Sequence, residues 1–299
     1  MLSRVIHYKV DLRGFGSSKI YVISDKMNVK RRMAFIEAWS HFDGFNYEFV
    51  DAIMPRDFNV NDLLDKGIMG GKWEDLEHFG LTNNIIGIAL SHKKVWERAL
   101  NEECGSKVLI LEDDARPSPN LMEYIYNGGY KKFIDQINKY HSDMIWIGRT
   151  SSQIKGERYT NHLQKIDPFE GIGAHAYLID KSMLHVIKDD YKIDKPVDVY
   201  LDYMGPRMSG RFDNVFAPYI SLIEQQGHLI NLWHHDDPED VDFMWSTGSQ
   251  VNWHLDNPLP HPWSKVSREM RSYCENRVEE FTQYGKKWVR VKLKKKNLL

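Results

Sequence analysis

The sequence predicts an α/β protein with a mainly parallel, twisted sheet flanked by helices. Over the first two thirds of the chain, short apolar segments alternate with longer ones whose apolar residues recur at helical spacing. In one segment Val108, Leu109, Ile110 and Leu111 follow one another without a polar break, as in a buried strand. Repeated strand–helix–strand units with crossover helices produce parallel sheets.

The individual elements follow from these patterns. Strands are expected at 19–24, 46–53, 107–111, 143–148, 174–180 and 214–223, and helices at 26–42, 81–103 and about 119–139. In the first helix the apolar stripe is Val29, Met33 and Ile36, widened by Phe35, Trp39 and Phe42. The second helix starts on a capping residue, Thr82 or Asn83. Its stripe consists of Ile85, Ile88/Ala89, His92, Val95/Trp96 and Ala99.

The chain changes character after about residue 225. We expect residues 1–225 to form the α/β domain, and 226–299 to form an irregular extension that covers an open cleft and ends in a basic tail. The basic residues of the tail are Lys286, Lys287, Arg290, Lys292, Lys294, Lys295 and Lys296. Such a run is typical of a solvated tail, and the alternative is a patch for anionic headgroups at a membrane surface.

Composition excludes some classes of protein. The net charge of −2 gives no basic field for nucleic acid. Cys104 and Cys274 fit neither a metal-ligand spacing nor a disulfide framework, which favours a reducing compartment. The chain begins without an apolar signal sequence and contains no long apolar span, so we expect a cytoplasmic protein, with membrane association only through the tail.

Three acids follow the buried strand at its carboxyl end. Glu112 and Asp114 lie on one side of an extended chain, and Asp113 faces elsewhere. Ligands collect at this end of the strands in open α/β sheets, and paired carboxylates suit Mg²⁺ or Mn²⁺ held jointly with substrate phosphates. The alternative is an acidic turn stabilised by the dipole of a following helix.

The acidic stretch and five further segments, which occur in the expected order along the chain, resemble glycosyltransferase family 25, the lipooligosaccharide and collagen galactosyltransferase family. The acids lie in "LEDD", which is similar to that family's acidic motif. "IYVISDKMNVKRR" resembles its opening strand and Arg-bearing helix start, with Ser24-Asp25 where the family has Asn-Leu-Asp, and "FVDAI" resembles its Asp-Ala turn. "IGIALSHKKVW" resembles its Gly-x-x-x-Ser-His helix, and "GIGAHAYLID" and "KPVDVYLD" resemble later segments. The matches run from about residue 19 to 203.

The resemblance implies a GT-A fold, with a Rossmann-like nucleotide half and an acceptor half. It implies an inverting hexosyltransferase that uses Mn²⁺ (or Mg²⁺) to hold a UDP-sugar, with UDP-galactose as the expected donor and UDP-glucose or a UDP-N-acetylhexosamine as alternatives. The acceptor would be a hydroxyl of a saccharide or of a hydroxylated protein side chain. Carried over, Asp114 is the first metal ligand, and Glu112 is a second ligand or a ribose contact.

Further residues are expected to bind the donor. Arg32 opens the first helix and could pair with a phosphate, a role that Arg31 could equally fill. Asp51 ends the second strand and could reach the nucleoside or be a simple turn residue. The resemblance adds donor contacts from Ser91 and His92, although a histidine in an apolar stripe is also a common core residue. The remaining predicted donor-binding residues are Ser24, Asp113 and His175.

An inverting transferase needs a carboxylate near the acceptor hydroxyl to act as base. Asp198 matches the family's Pro-Val-Asp segment, and Asp202 is the fallback, with a structural salt bridge as the alternative for both. A third metal ligand is not assigned, because His228-Leu229-Ile230 stands where the family has Ser-Asp-Ile. His234 and His235 belong to the same His/Trp-rich segment, which could also pack a loop or stack on an acceptor sugar.

Two other functions compete with the transferase. One is a metal-dependent phosphoesterase that uses Glu112, Asp114 and the His/Asp residues of 228–237 as a two-metal site. The other is a non-catalytic sugar-binding relative that retains the fold.

Overall fold

Most of the chain before residue 226, and three strands after it, are described in the computed structural model. The described residues are 13–40, 42–71, 82–118, 121, 124–125, 127–148, 156–166, 173–204, 210, 213–219, 221–225, 240–246, 274–283 and 286–295.

Regular elements alternate along the described chain. The strands are β1 (Lys19–Ser24), β2 (Tyr47–Asp51), β3 (Lys107–Glu112), β4 (Ala115–Pro117), β5 (Met144–Trp146), β6 (Gly156–Arg158), β7 (Leu163–Ile166), β8 (Ala176–Asp180), β9 (Val215–Pro218), β10 (Ile223–Gln225), β11 (Asp240–Ser246), β12 (Cys274–Gln283) and β13 (Lys286–Lys295). The helices are α1 (Val29–Trp39), α2 (Val60–Asp65), α3 (Asn83–Asn101), α4 (Gly129–Lys139), α5 (Lys181–Asp190) and α6 (Val197–Val199). A π-helical turn, Tyr200–Met204, follows α6.

Eight of the described strands form the central sheet, in the order β2-β1-β3-β8-β5-β9-β7-β6. β1 is parallel to β2 and β3, and β5 is parallel to β9, whereas β8 and β7 run antiparallel to their neighbours. All strands of the sheet except β8 and β7 therefore point the same way. The predicted class, an α/β protein with a mainly parallel sheet flanked by helices, is confirmed.

The inner strands are buried on both faces. Tyr21 of β1 and Ile110 of β3 belong to the apolar cluster that includes Trp96 of α3, together with residues of α5. Their neighbours Val22 and Leu111 belong to the opposite cluster, with residues of α1 and α4. Since successive side chains of a strand face opposite sides, a sheet between two helical layers needs apolar residues at every position. This explains the unbroken apolar run of β3.

Most of the predicted elements are present, with shifted boundaries. Helix α3 is capped by Thr82, whose side chain accepts a hydrogen bond from the Ile85 amide. The strand predicted at 214–223 is two strands, because β9 joins the central sheet whereas β10 pairs with β4. Within the described residues, no helix combines the length and the hydrophobicity that crossing a bilayer requires.

The predicted stripe of α1 is wrong in part. Val29, Met33 and Ile36 are 62%, 58% and 39% exposed, whereas Phe35 and Trp39 are almost fully buried. The two aromatic residues bury more apolar area than the aliphatic ones, and Trp39 also donates a hydrogen bond to the Ala115 carbonyl. The face of α1 that carries Phe35 and Trp39, rather than the predicted stripe, therefore packs on the sheet.

Part of the C-terminal extension forms regular structure. β11, β13 and β12 make a separate antiparallel sheet in that order, with β13 in the centre. β13 contains most of the basic residues predicted to form a tail. The segment 228–237, with its histidines, lies outside the described residues.

A glycine allows α3 to lie close to the carboxyl end of β2. A Cβ atom at Gly87 would lie 2.6 Å from the carbonyl oxygen of Ile53. One turn further along the helix, the Ser91 hydroxyl accepts a hydrogen bond from the Ile53 amide (2.8 Å) and donates one to the Gly87 carbonyl (2.7 Å). The contact fixes α3 against the segment after β2.

We predict that Gly87→Ala destabilises the protein. Glycine to alanine in a helix usually stabilises by about 1 kcal/mol, but here the added methyl group would overlap a backbone carbonyl, and overpacking costs about 1–3 kcal/mol. Urea unfolding measures the difference. Asn84→Ala, an exposed position on the same helix, is the control and should be neutral or stabilising. Increased stability of Gly87→Ala would show that α3 is not held this closely.

Candidate functional site

The polar residues singled out in the sequence meet at one edge of the central sheet. Ser24 and Asp51 end the paired strands β1 and β2 and lie opposite each other, and Glu112 ends β3 beside Ile23. β8 is antiparallel to β3, so its first residue, Ala176, lies near the end of β3, opposite Leu111. The carboxyl ends of three parallel strands and the start of a reversed one therefore surround the acids.

Arg31 lies among the three acids. Its Nη2 is 2.5 Å from Oδ1 of Asp113 and 3.2 Å from Oδ2 of Asp114. Burial of Arg31 opposes its charge, but the nearby carboxylates of Asp114 and Asp113 outweigh burial and raise the pKa of the guanidinium. Asp113 also accepts a hydrogen bond from the Ser24 hydroxyl (2.8 Å). Asp113 is thus compensated by two groups.

A second arginine supports the backbone of the acidic turn. Nη1 of Arg116 donates to the carbonyls of Asp113 (2.8 Å) and Ala115 (3.0 Å). Burial lowers the pKa of Arg116 to about 10, against the attraction of Asp114 and Asp113. Arg116 therefore holds the chain at the turn while its charge lies near the acids.

Asp114 is the carboxylate with the least compensation. Its Oδ2 contacts Arg31 and, at 3.4 Å, the side-chain amide of Gln225, whereas its buried Oδ1 makes no hydrogen bond. Burial, followed by the negative charges of Glu112 and Asp113, raises the pKa of Asp114 to about 7. The site therefore contains a buried carboxyl group that would gain from a further positive charge.

Glu112 is held by a histidine from α3. His92 Nε2 lies 3.3 Å from Oε1 of Glu112, and His92 Nδ1 lies 2.9 Å from the Tyr177 hydroxyl. Burial tends to raise the pKa of Glu112, but its hydrogen bond with His92 and the positive charge of Arg31 lower the pKa overall. Glu112 is thus an ionised carboxylate next to the only partly compensated Asp114.

Arg32 and Asp51 form the outer part of the site. Arg32 donates to the Asp51 carboxylate (2.6 Å), to the Ser24 carbonyl (3.0 Å) and to the Ser24 hydroxyl (3.2 Å). Its guanidinium also lies over the ring of Phe49, 4.9 Å from the centroid. The Asp51 side chain is 46% exposed. Arg32 is therefore pre-oriented at the rim, and a donor-binding role for both residues remains a prediction.

Two other predicted donor contacts are buried. Both hydrogen bonds of the Ser91 hydroxyl are made to backbone groups of Ile53 and Gly87. His175 is fully buried. The Ile223 carbonyl lies near its ring, but within the described residues neither ring nitrogen makes a well-aligned hydrogen bond. Burial lowers the pKa of His175, so its ring is neutral. Their binding roles also remain predictions.

Asp198 of α6 lies within electrostatic range of the site. Burial raises the pKa of Asp198, and the negative charge of Glu112 raises it further. The Val199 amide donates a hydrogen bond to Oδ1 of Asp198 (2.9 Å), which lowers the pKa by less than burial raises it. Asp202, in the π-helical turn, is almost completely buried. Of the two candidate bases, Asp198 is the more accessible to an acceptor.

The chemistry of the site fits a divalent cation in part. Glu112 and Asp114 supply hard oxygen ligands, and the unpartnered Oδ1 of Asp114 is a buried acceptor without a donor. However, no group of three His, Cys, Asp or Glu side chains within the described residues could hold a metal ion. An ion bound here would need further oxygen ligands, which substrate phosphates supply in many Mg²⁺ sites.

Some participants were missed or underrated in the sequence. The sequence favours Arg32 over Arg31 as the arginine of the site. In the structure both side chains reach the strand ends, and Arg31 is the one that contacts Asp113 and Asp114. The helical spacing of Arg31 with the buried Phe35 and Trp39, four and eight residues later, is a signal that could have identified it. Tyr177 lies in the quoted segment "GIGAHAYLID" but had no predicted role, and no local pattern marks Gln225, which comes from a distant segment.

Fold and site together define a class: a Rossmann-like α/β protein with an acidic, arginine-containing site at the carboxyl ends of its strands. The family model for glycosyltransferase family 25, described as LPS biosynthesis protein, matches residues 17–201, more than half of the chain. The chain belongs to glycosyltransferase family 25. A similar protein of Acanthamoeba polyphaga mimivirus bears the name "Putative glycosyltransferase" and is 30% identical over 105 residues. That match covers 35% of this chain and 31% of the viral protein.

We predict that Asp114→Asn raises the thermal stability of the metal-free protein. The folded state raises the pKa of Asp114 from its ordinary value of 3.8 to about 7, so folding favours the protonated form. The wild type therefore loses stability as pH rises from about 4 to about 7, and the neutral amide avoids this loss. Calorimetry should show a gain of several degrees at about pH 8 and a smaller gain at about pH 5.5.

Asp43→Asn is the matched control, because Asp43 is exposed in the turn before β2, away from the carboxyl ends of the strands. It should change the unfolding temperature little. A lower unfolding temperature for Asp114→Asn at the higher pH would show that the charge of Asp114 is already fully compensated.

Proposed function

We propose that this protein is an inverting, metal-dependent hexosyltransferase with a GT-A arrangement. In this proposal it moves a hexose, with galactose as the expected sugar, from a UDP-sugar to a hydroxyl group of a saccharide or of a hydroxylated protein side chain. The observation that carries the proposal is the buried Asp114 carboxylate, with one oxygen unpartnered, beside the ionised Glu112 at the carboxyl ends of parallel strands. Family membership and the name of the viral relative support sugar transfer in general.

Glu112 and Asp114 would hold Mn²⁺ (or Mg²⁺). Bound there with the donor diphosphate, the ion would stabilise the negative charge that grows on the departing nucleoside diphosphate. Arg31 holds Asp113 and restrains the turn, so the two ligand carboxylates keep their positions. His92 holds Glu112 from the other side. The protein thus supplies position and electrostatics rather than a covalent intermediate.

The outer residues suit the rest of the donor. Arg32, anchored by Asp51 and by the Ser24 carbonyl, offers a fixed guanidinium at the rim that could contact a phosphate or the nucleoside. The exposed carboxylate of Asp51 lies at the end of β2, where α/β proteins commonly bind the ribose of a nucleotide.

Asp198 is the proposed base. A direct displacement needs a carboxylate that accepts the proton of the attacking hydroxyl. Burial raises the pKa of Asp198, and a carboxylate with a raised pKa is a stronger base at neutral pH.

The description of the family as an LPS biosynthesis protein favours a saccharide acceptor.

The main test is donor turnover. Purified protein is incubated with Mn²⁺ and a panel of UDP-sugars, and the release of UDP is measured together with the thermal shift that each donor causes. We expect metal-dependent UDP release with UDP-galactose, and a loss of at least about 100-fold in Asp114→Asn because a ligand carboxylate is removed. The exposed Asp43→Asn variant should retain wild-type activity.

The alternatives predict other results. Release of phosphate from simple phosphoesters, without UDP release from any sugar donor, would indicate a phosphoesterase. Sugar binding that depends on neither nucleotide nor metal would indicate a non-catalytic relative. Either result would overturn the proposal.

A separate prediction concerns the base. Asp198→Asn should lower kcat for transfer about 100-fold or more while the Kd for the UDP-sugar changes little, because the carboxylate acts on the acceptor. Calorimetric titration of the donor and an assay of sugar transfer separate the two effects. Asp202→Asn provides the comparison: if it loses transfer while Asp198→Asn retains it, the base is Asp202.

A further inference from the structure

Three buried side chains form a chain of hydrogen bonds that ends at Glu112. Nε1 of Trp96 lies 2.9 Å from the Tyr177 hydroxyl, which lies 2.9 Å from His92 Nδ1. His92 Nε2 then lies 3.3 Å from Glu112 Oε1. Trp96, Tyr177 and His92 are each completely buried in the core.

The chemistry of the first two members fixes the direction of this chain. The indole N–H of Trp96 can only donate, so the Tyr177 oxygen accepts there. Burial raises the pKa of the Tyr177 hydroxyl well above its ordinary value, so it keeps its proton. Within the described residues, the Tyr177 hydroxyl can donate this proton to Nδ1 of His92, which lies 2.9 Å away. A neutral imidazole that accepts at Nδ1 carries its proton on Nε2, which faces Glu112.

We infer that Trp96, Tyr177 and His92 form a positioning relay that fixes the tautomer of His92 and so orients the Glu112 carboxylate. His92 is thereby a positioning residue rather than a contact to the donor sugar. The inference rests on the proposed function, in which Glu112 is a metal ligand.

Two observations support a role beyond packing. His92 and Tyr177 are completely buried, and Tyr177 belongs to the apolar cluster around Trp96, so leaving their polar atoms without hydrogen bonds would be costly. In addition, this series of hydrogen bonds leads from the core to Glu112. Among the described ion pairs, Arg31 contacts the carboxylates of Asp113 and Asp114 but not that of Glu112. Side chains that orient a metal-binding carboxylate typically affect metal affinity about 10–100-fold.

The relay is tested first by metal binding. Tyr177→Phe removes the donor to Nδ1 and keeps the ring, and we expect it to weaken Mn²⁺ binding, measured by electron paramagnetic resonance in the presence of UDP, about tenfold. Tyr191→Phe is the matched control. Tyr191 is also buried in this cluster, packs near Trp96, and donates its hydroxyl to the Lys195 carbonyl (2.6 Å). It should bind Mn²⁺ with an affinity within about twofold of wild type.

Substitutions of His92 separate orientation from packing. His92→Gln can present an amide N–H where Nε2 lies, so we expect it to retain most of the Mn²⁺ affinity. His92→Leu cannot donate and should lose it about 10–100-fold. Circular dichroism and the unfolding temperature establish that each variant is folded.

The tautomer is tested independently of the enzyme activity. Long-range proton–nitrogen correlation spectra of histidine-labelled protein should show His92 with its proton on Nε2, and the signal should move in Glu112→Gln. His92 is assigned by the loss of its signal in His92→Gln. A proton on Nδ1 instead would overturn the relay whatever the binding data show.

The failures of the two proposals differ. If wild type binds Mn²⁺ and Asp114→Asn does not, but Tyr177→Phe and Tyr191→Phe bind equally well, the relay is wrong and the proposed function stands. If wild type binds no Mn²⁺ with any UDP-sugar, the metal-dependent function fails and the role of the relay fails with it.

Discussion

Placing three adjacent carboxylates at the end of an inner strand, two of them buried and Glu112 partly buried, is the constraint on which the arrangement of the site depends. An ionised carboxylate away from water is costly unless charge or hydrogen bonds compensate it. Each acid has its own arrangement: Arg31 and Ser24 compensate Asp113, His92 holds Glu112, and Asp114 shares Arg31 and reaches Gln225. These partners come from elements on both faces of the sheet, so the positions of those elements are coupled through the acids.

The fold supplies the partners because of its layers. Helix α1 turns the face with Phe35 and Trp39 to the sheet, and the same face carries Arg31, one turn earlier, to the strand ends. On the other side, Gly87 lets α3 approach the end of β2, which brings His92 to Glu112. Packing in the core and charge compensation at the edge therefore depend on the same two helices.

Local patterns in the sequence predicted much of this. The alternation of apolar segments gave the α/β class and the main strands, and the position of the acids after β3 gave the edge at which the site lies. The buried face of α1 was predicted wrongly because apolar residues lie on two faces of this helix, one aliphatic and one aromatic. Which face packs on the sheet depends on tertiary contacts that the local pattern does not contain. Tyr177 could not be linked to His92, since the two residues are far apart in the chain and the pairing of β8 with β3 brings them together.

The uneven compensation of the acids is itself informative. Asp113 has both Arg31 and Ser24 as partners, whereas Asp114 has Arg31 through one oxygen only. The nearby Arg116 donates its hydrogen bonds to backbone carbonyls rather than to Asp114. A sequence selected only for stability could have neutralised Asp114 with an amide, at no cost in packing volume. Retaining a buried carboxylate that is only partly compensated lowers stability, and such local violations are expected at functional sites. Among the described residues, the ion pair with Arg31 leaves Oδ1 of Asp114 without a partner, and the proposed function would supply the missing positive charge there.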